Sequence, residues 1–571
     1  MISYDQIIKL NNKKIQKKEL SFFKKKRIKF LLNFNFFQLE AYTSYYLKKK
    51  FIQSDFLSSD FDQVFQQLNS IKKKDKIDLL IVGNDFNLIY DSNKLNIKYF
   101  GEKIFSQLEL LKKIKKKFSK TEIIFFNIPE ILKNHFLYNS SYKNYINQLN
   151  YNLKIICDKN NFYLLDYNSL ITEIGQKNFY SQKNFYLSKN LLSDEGSDIL
   201  ARSIAKIARS IFFTRKKCIV LDLDNTLWGG ILGEDGINGI KIGNSYIGNK
   251  YLNFQKYIKY LSETGIILAI CSKNNFSDVK KCFQENTNLI LKFSDFSSVK
   301  ANWDPKFKNI NEIASELNIG KDSIVFFDDS KFERDQMRKF NPEINVISVP
   351  EDVDNYISAI DETAFFYSSK EFTNEDLKKK QQYDLINKAK KFKLKFKSQD
   401  TDNYLKSLKM KIYIDKVTDK NFSRCVQMLN KTNQFNFTTN RYTESTFKNY
   451  LNKNKIISFV LRLEDKFGDH GITGLITAKI INQKCIIDNF LLSCRILGRK
   501  IEEVLLQELI YKLKLIKIKN LIGIYKKTQK NIQCESFYKK NHFKIINNGK
   551  YELNIEKIPV VKNSLMKVVH E

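Results

Sequence analysis

A short apolar run, Cys218 to Leu221, delivers the chain straight into two aspartates spaced two apart, Asp222 and Asp224. Cys-Ile-Val-Leu has the length and β-branching of a buried parallel strand. In open α/β sheets, ligands bind beyond the carboxyl ends of such strands, so both carboxylates fall where chemistry is expected. Alone, the pair is also what a polar turn after a strand looks like. A carboxylate can, however, attack phosphorus directly. A second acid two residues on can protonate the leaving oxygen and later activate water. Both acids repel a phosphate: at about 4 Å and an effective dielectric near 20, one such contact costs roughly 4 kcal/mol. Mg²⁺ removes that penalty, because it favours carboxylates together with substrate phosphate oxygens.

Three segments downstream supply the remaining parts in order. Gly265 to Asn275 reads as a second buried strand ending at Ser272, whose hydroxyl suits a phosphoryl oxygen. Trp303 to Gly320 reads as a helix, with Asp304 as its cap, Pro305 in its first turn and Gly320 marking its end. Lys306 falls in that first turn, where its charge and the helix amides both favour a phosphate. Ser323 to Ser330 reads as a third strand ending in Asp328 and Asp329, a second pair of hard oxygen ligands.

DLDNT, a strand-terminal serine, a helix lysine and an aspartate pair, in this order, resemble the four motifs of the haloacid dehalogenase (HAD) superfamily. The longer strings LDLDNTLWGGILGEDG (Leu221 to Gly236), CSKNN (Cys271 to Asn275), NWDPK (Asn302 to Lys306) and FFDDS (Phe326 to Ser330) resemble its FkbH-like branch, the HAD family IIIC phosphatases. The resemblance implies Asp222 as nucleophile and metal ligand, and Asp224 as general acid/base with its backbone carbonyl on the metal. It implies Ser272 as phosphoryl-binding, Lys306 as the group that neutralises an aspartyl-phosphate, and Asp328 and Asp329 as the rest of a Mg²⁺ site. Positions 223–271, 49 residues, separate Asp222 from Ser272, too few for a large cap domain. Access would then be shaped by the Trp228 to Gly236 flap, other domains or a partner, which suits a substrate carried on a larger molecule. Arg334 reads as a substrate contact or, more simply, a surface ion pair.

At 571 residues, two to four domains are expected. The formal charge of +35, from 97 Lys and Arg against 62 Asp and Glu, would ordinarily suggest nucleic acid or a membrane surface. The lysines are spread out, and the uniform bias toward Lys, Asn, Ile, Phe and Tyr is what an AT-rich coding sequence produces. The reading is therefore no nucleic-acid partner; an acidic carrier protein fits the same charge. No signal peptide and no membrane span are expected. Eight scattered cysteines without CxxC pairs argue against zinc or a disulfide framework and for a reducing cytoplasm.

The expected fold class is α/β in three domains. Residues 1–210 carry apolar runs at 29–32, 78–82, 122–126 and 162–166 separated by amphipathic stretches such as 104–117, the pattern of a parallel sheet. FkbH-like proteins often carry an SGNH-hydrolase-like domain here. Leu31 to Glu40 lacks that family's serine, no histidine follows Asp194, and His135 is the region's only histidine. A scaffold or docking surface is expected rather than a hydrolase. Residues 211–365 form the HAD-like Rossmannoid domain without a large cap, and 366–400 a charged helical connector starting near Thr373.

Residues 401–571 form the third domain, with strands at 410–417, 456–463, 474–481 and 485–492 and a last strand after Lys544. The strand-to-helix passage through Arg495 and Gly498 resembles the GNAT acetyltransferase fold, in which R/Q-x-x-G-x-G/A wraps the coenzyme A pyrophosphate at a helix start. Lys500 stands where that pattern has a small residue. Asn433 to Arg441 also resembles the FkbH-like pattern. Coenzyme A or a carrier-protein phosphopantetheine is the ligand this resemblance implies.

FkbH-like proteins are linked to moving a glyceryl group from a phosphorylated three-carbon acid to an acyl carrier protein. The expectation is therefore Mg²⁺-dependent phosphoryl removal through Asp222, coupled to loading a glyceryl-type acyl group from 1,3-bisphosphoglycerate onto such a carrier. Cys271, beside Ser272, is one candidate for an acyl-bearing thiol, although strand alternation turns it the other way; Cys494 is the next. Two alternatives stay open: a plain phosphatase of a small sugar or acid phosphate, and an acyl-CoA-dependent transferase of surface-polysaccharide or lipid assembly with the HAD unit as a binding module.

Overall fold

The computed structural model describes residues 3–12, 23–85, 97–129, 140–369, 385, 401–452, 455–493, 496–547, 549–559 and 565–570. The chain folds as two compact units, residues 1–215 with 358–371, and residues 216–357 with 372–571. The fold is α/β, with two parallel, Rossmann-like sheets and one mixed sheet.

The first unit holds strands β1 (Lys24–Leu32), β2 (Ile52–Phe56), β3 (Leu79–Gly83), β4 (Glu122–Phe126) and β5 (Tyr163–Leu165), all parallel in the order 2-1-3-4-5. Alternate residues of the central strand feed two separate cores. Leu79 and Ile81 join the helices Phe37–Lys49 and Asp194–Phe212. Leu80 and Val82 join Ile97–Lys117 and Ser140–Asn160. β2 has no counterpart among the sequence-predicted strands, because IQSDF is an edge strand with only Ile52 fully buried. His135 and the predicted connector helix start at Thr373 lie outside the described residues.

The second unit contains two sheets. Strands β6 (Cys218–Leu221), β7 (Ile267–Ser272), β8 (Phe296–Ala301), β9 (Ile324–Phe327) and β10 (Asn345–Val346) are parallel in the order 10-9-6-7-8. The chain therefore winds outward from β6 on one side and then restarts at β9 on the other. The reversal falls between β6 and β9, which makes their carboxyl ends the site-forming crevice. Two helices, Leu232–Gly239 and Tyr246–Glu263, fill the β6–β7 connection in place of a cap domain. The helix after β8 runs Lys306–Leu317. Pro305 takes the cap position without a side-chain hydrogen bond, and Asn318 in the left-handed region ends the helix before Gly320. Its predicted Asp304 cap is thus corrected by one residue: proline fixes φ for the entry itself.

The third sheet runs β17 (Lys544–Asn547), β18 (Lys550–Asn554), β16 (Asn520–Ile524), β15 (Lys484–Leu492), β14 (Gly468–Ile481), β13 (Ile456–Asp465), β11 (Met410–Asp415), β19 (Met566–His570), with β12 (Phe435–Asn436) paired to β15. Only β15–β16 and β11–β19 are parallel. The helix Ile501–Leu515 packs on one face, over Leu461, Leu463 and Ile476. Helices Asp419–Lys431 and Glu444–Leu451 cover the other, over Val460 and Leu475. Among the described residues no helix is long and apolar enough to cross a membrane.

Helix Asp194–Phe212 begins with Ser193 capping Gly196, and a Cβ built on Gly196 would run into the Phe179 carbonyl oxygen. Gly196→Ala is expected to destabilise the first unit by about 1–3 kcal/mol, read as a lower thermal midpoint.

Candidate active site

Asp222 leaves β6 with its amide donating to the Phe327 carbonyl at 3.1 Å, which fixes it beside the end of β9. Asp328 and Asp329 follow β9 directly. One oxygen from each of Asp222, Asp328 and Asp329 lies within 4.8 Å of the others. Asp222 and Asp328 are buried. Lys306, brought by the first turn of its helix, places Nζ 3.0 Å from Asp222 Oδ2 and 2.7 Å from Asp328 Oδ2. Burial alone would lower the lysine's pKa, but Asp222 and Asp328 outweigh it and hold the ammonium charged. Three clustered acids against one ammonium leave an excess of negative charge. Burial, and then the Asp222 charge, push Asp328 up to about 7. The same two causes raise Asp329. Asp222 Oδ1 is buried without a hydrogen-bond partner. An orphaned carboxylate oxygen in an all-oxygen, acid-rich cluster fits a hard divalent cation.

Asp224 stands beside this cluster, held by three donors. Its Oδ1 accepts from Trp228 Nε1 at 2.9 Å and from the Leu232 amide at 3.0 Å, and its Oδ2 accepts from Asn274 Nδ2 at 2.8 Å. Asn274 also donates to Ser272 Oγ at 3.1 Å, joining the ends of β6 and β7. The turn that makes this possible is Asn225, at φ 51°, a left-handed position that asparagine tolerates. It sends Thr226 back to donate to Asp329 Oδ1 at 3.1 Å.

The structure thus brings together Asp222, Asp224, Ser272, Lys306, Asp328 and Asp329. It adds Thr226, Trp228 and Asn274. The first two lie in the DLDNTLW string and Asn274 in CSKNN, but spacing alone carried no sign of which acid each would hold. Among the described residues Arg334 does not form the expected surface ion pair. Its NH1 donates to the backbone carbonyls of Asp328 at 2.8 Å and Asp329 at 2.6 Å, and so aims the acid pair.

Cys271 must be corrected as an acyl-bearing thiol. It is buried in an apolar cluster with Val220, Ile310 and Phe326, and its thiol is pushed well above the usual range, first by burial. Strand alternation has turned it away from Ser272's side. Cys494 and Arg495 lie outside the described residues. Gly498, at φ 78°, does sit just ahead of the helix Ile501–Leu515.

At the end of β3, Asp85 is buried and its Oδ2 accepts from Tyr167 OH at 3.0 Å and Tyr180 OH at 2.7 Å. Asn33 holds the Asp85 backbone through both its amide groups, at 2.8 and 2.7 Å. Asp194 is the first residue of its helix and bonds Gln38 rather than a histidine.

No protein-family profile matches the sequence, and a search of curated proteins finds no match. Among solved structures, the chain is similar to the N-terminal part of a Bacteroides fragilis protein containing a phosphatase domain, solved in complex with Mg. The likeness has a TM-score of 0.54 and 25% identity, over 65% of this chain and 100% of that one. Two acetyltransferases also align over a quarter of this chain. The Escherichia coli ribosomal-protein-S18-alanine N-acetyltransferase does so at 13% identity and TM-score 0.21, over 25% of this chain and 94% of its own. The Thermoplasma acidophilum PaiA N-acetyltransferase, in complex with coenzyme A, does so at 18% identity and TM-score 0.19, over 25% of this chain and 98% of its own.

Because Asp328 in the folded chain holds its proton up to about 7, above the ordinary carboxylate value near 4, the folded state binds more protons than the unfolded chain across that window. Without a divalent cation, stability should therefore fall as pH rises from about 4 through about 7. Thermal melts in EDTA check this, and Mg²⁺ should recover the loss above pH 7. A melting temperature that ignores both pH and Mg²⁺ contradicts it.

Proposed function

We propose that this chain is a Mg²⁺-dependent phosphatase of the HAD type, in its FkbH-like branch, working through an aspartyl-phosphate on Asp222. The carrying observation is Asp222 itself: buried, one oxygen unpartnered and the other on Lys306, within a trio of carboxylates. The solved phosphatase domain in complex with Mg supports the class.

Asp222, Asp328 and Asp329 would hold the cation, whose charge offsets that of the substrate phosphate. Asp222 attacks phosphorus through a carboxylate oxygen while the bond to the leaving oxygen breaks, and Asp224 gives that oxygen its proton. Water then attacks the aspartyl-phosphate, Asp224 takes up a proton, and inorganic phosphate leaves with Asp222 restored. Lys306 neutralises the phosphorylated aspartate. Ser272 offers its hydroxyl to a phosphoryl oxygen. Asn274 and Trp228 orient Asp224, and Arg334 positions Asp328 and Asp329.

By the same resemblance, the substrate is a phosphorylated three-carbon acid whose acyl group ends as a thioester on an acyl carrier protein. A β6–β7 connection without a cap domain leaves the site open to a carried substrate. With 1,3-bisphosphoglycerate, thiolate attack on the acyl carbon would form the thioester and expel the C1 phosphate as inorganic phosphate, and the remaining C3 phosphate would be removed at Asp222.

Intact-mass measurement of a carrier protein incubated with the chain, Mg²⁺ and 1,3-bisphosphoglycerate tests this. A glyceryl-sized gain that Asp222→Asn abolishes is the expected result. Phosphate release that needs Asp222, without carrier modification, would leave the phosphatase and remove the loading step. Asn274→Ala should lower kcat about 10- to 100-fold with little change in KM, less than the ~10²–10⁴-fold a general acid contributes, because Trp228 and the Leu232 amide still hold Asp224. Steady-state phosphate release measures it, and an unchanged kcat would remove Asn274 from the mechanism.

A further inference from the structure

Away from the acid cluster, the domain of the third sheet carries a cavity of about 360 Å³ lined by Asn433, Thr439, Arg441, Thr528, Gln529 and Lys530. That volume falls in the range of small-molecule sites. The lining is one-sided in its chemistry. Each of the six side chains carries an N–H or O–H donor, two are cationic and none is acidic. Arg441 donates to the carbonyls of Leu429 and Thr432 and to Asn433 Oδ1, all neutral acceptors. Among the described residues no carboxylate pairs with it, so its charge stands unmatched at the cavity wall. Lys530 Nζ does reach a carboxylate, Asp322 Oδ2 at 2.7 Å, but both side chains are more than half exposed, and such a surface pair exchanges readily for another anion.

The two segments that wall this cavity are fixed before any ligand arrives. Asn531, fully buried, joins them: its Nδ2 donates to Asn436 O and Lys526 O at 2.9 Å each, and its Oδ1 accepts from the Thr528 amide at 2.7 Å. The Lys526 amide donates to Phe437 O at 2.8 Å. Thr528 Oγ1 accepts from the amides of Lys530 and Asn531, at 3.3 and 3.2 Å, which leaves its hydroxyl hydrogen to donate elsewhere. Thr439 sits at φ 52°, a left-handed setting that a β-branched residue rarely takes. Its amide donates to Asn436 Oδ1 at 2.9 Å. Its neighbours are pinned as well, because Thr438 Oγ1 and Asn440 Nδ2 both donate to Asp488 O, at 2.7 and 3.2 Å. Backbone strain of this kind persists where the surrounding structure over-determines it, and it clusters at ligand sites.

We propose that this cavity binds a small phosphate monoester. A planar guanidinium, an ammonium, and hydroxyl and amide donors brought together from two segments suit the several oxygens of one phosphate group. The volume exceeds what a bare ion needs, and the amides of Asn433 and Gln529 can serve hydroxyl groups on the rest of the ligand. The proposal goes beyond the phosphatase reading and does not depend on it. The lining offers no carboxylate to attack phosphorus or to hold a divalent cation, so the ligand is bound here without turnover.

Calorimetry of the full chain with glycerol 3-phosphate as the probe is expected to show saturable binding that weakens as salt is raised. The titration is run in EDTA, where the acid cluster at β6 and β9 has no cation and repels a phosphate. Hydrogen exchange should slow at residues 433–441 and 525–531 when the probe is added, and glycerol should not bind. Gln529 is exposed, so Gln529→Glu should leave the melting temperature unchanged. The carboxylate it adds to the lining should weaken binding by roughly ten-fold or more, through like-charge repulsion at close range. No saturable binding, exchange that slows only elsewhere, or undiminished affinity in Gln529→Glu would each overturn the proposal. Inorganic phosphate binding as tightly as the ester would overturn the assignment to a monoester.

Discussion

The organising interaction is the contact of one ammonium, Lys306, with two buried carboxylates that come from different strands. Removing a charge from water is costly, and breaking a buried pair typically costs about 3–5 kcal/mol because the survivor is left uncompensated. Here the surplus acid is the point. Lys306 satisfies Asp222 Oδ2 and Asp328 Oδ2, while Asp222 Oδ1 stays bare. The surroundings are arranged around that unmet charge. Arg334 holds the backbone of the acid pair, Thr226 holds Asp329, and the reversal of strand order places β6 beside β9.

The parts of this arrangement that lie in contiguous strings were legible in the sequence. Strand, turn and helix order put Asp222, Ser272, Lys306 and the Asp328–Asp329 pair at successive carboxyl ends or helix starts, because parallel strands announce themselves as unbroken apolar runs. What the sequence hid was cross-chain. Nothing in the spacing says that Asn274 reaches Asp224, or that Arg334 turns inward to two carbonyls. Polar or two-residue strands were equally silent: Ile52–Phe56 has one fully buried residue, and Phe435–Asn436 is too short to have a period. Cys271 shows the converse. Adjacency to Ser272 suggested chemistry, and the alternation of a strand placed the two side chains on opposite sides.

In the first and third sheets, polar and charged side chains near a strand end and a helix start are paired within the chain. Asp85 in the first is caught between two tyrosines, and Asn33 ties down its backbone. In the third, charged side chains around a helix start are spent on internal partners. A satisfied buried polar network specifies one structure, and it is also a poor binding site, since a ligand must first break what is there. The cluster at the ends of β6 and β9 differs in kind, because among the described residues it alone carries an acid trio left short of positive charge.

Trp228 and Leu232 supply two of the three donors that fix Asp224, and both come from the stretch that follows the Asn225 turn. On the proposed reading, in which Asp224 carries the proton, the setting of that acid is tied to one run of chain. Any displacement of the run strips two hydrogen bonds from the acid and leaves Asn274 as its remaining anchor. A shifted stretch is a disarmed acid.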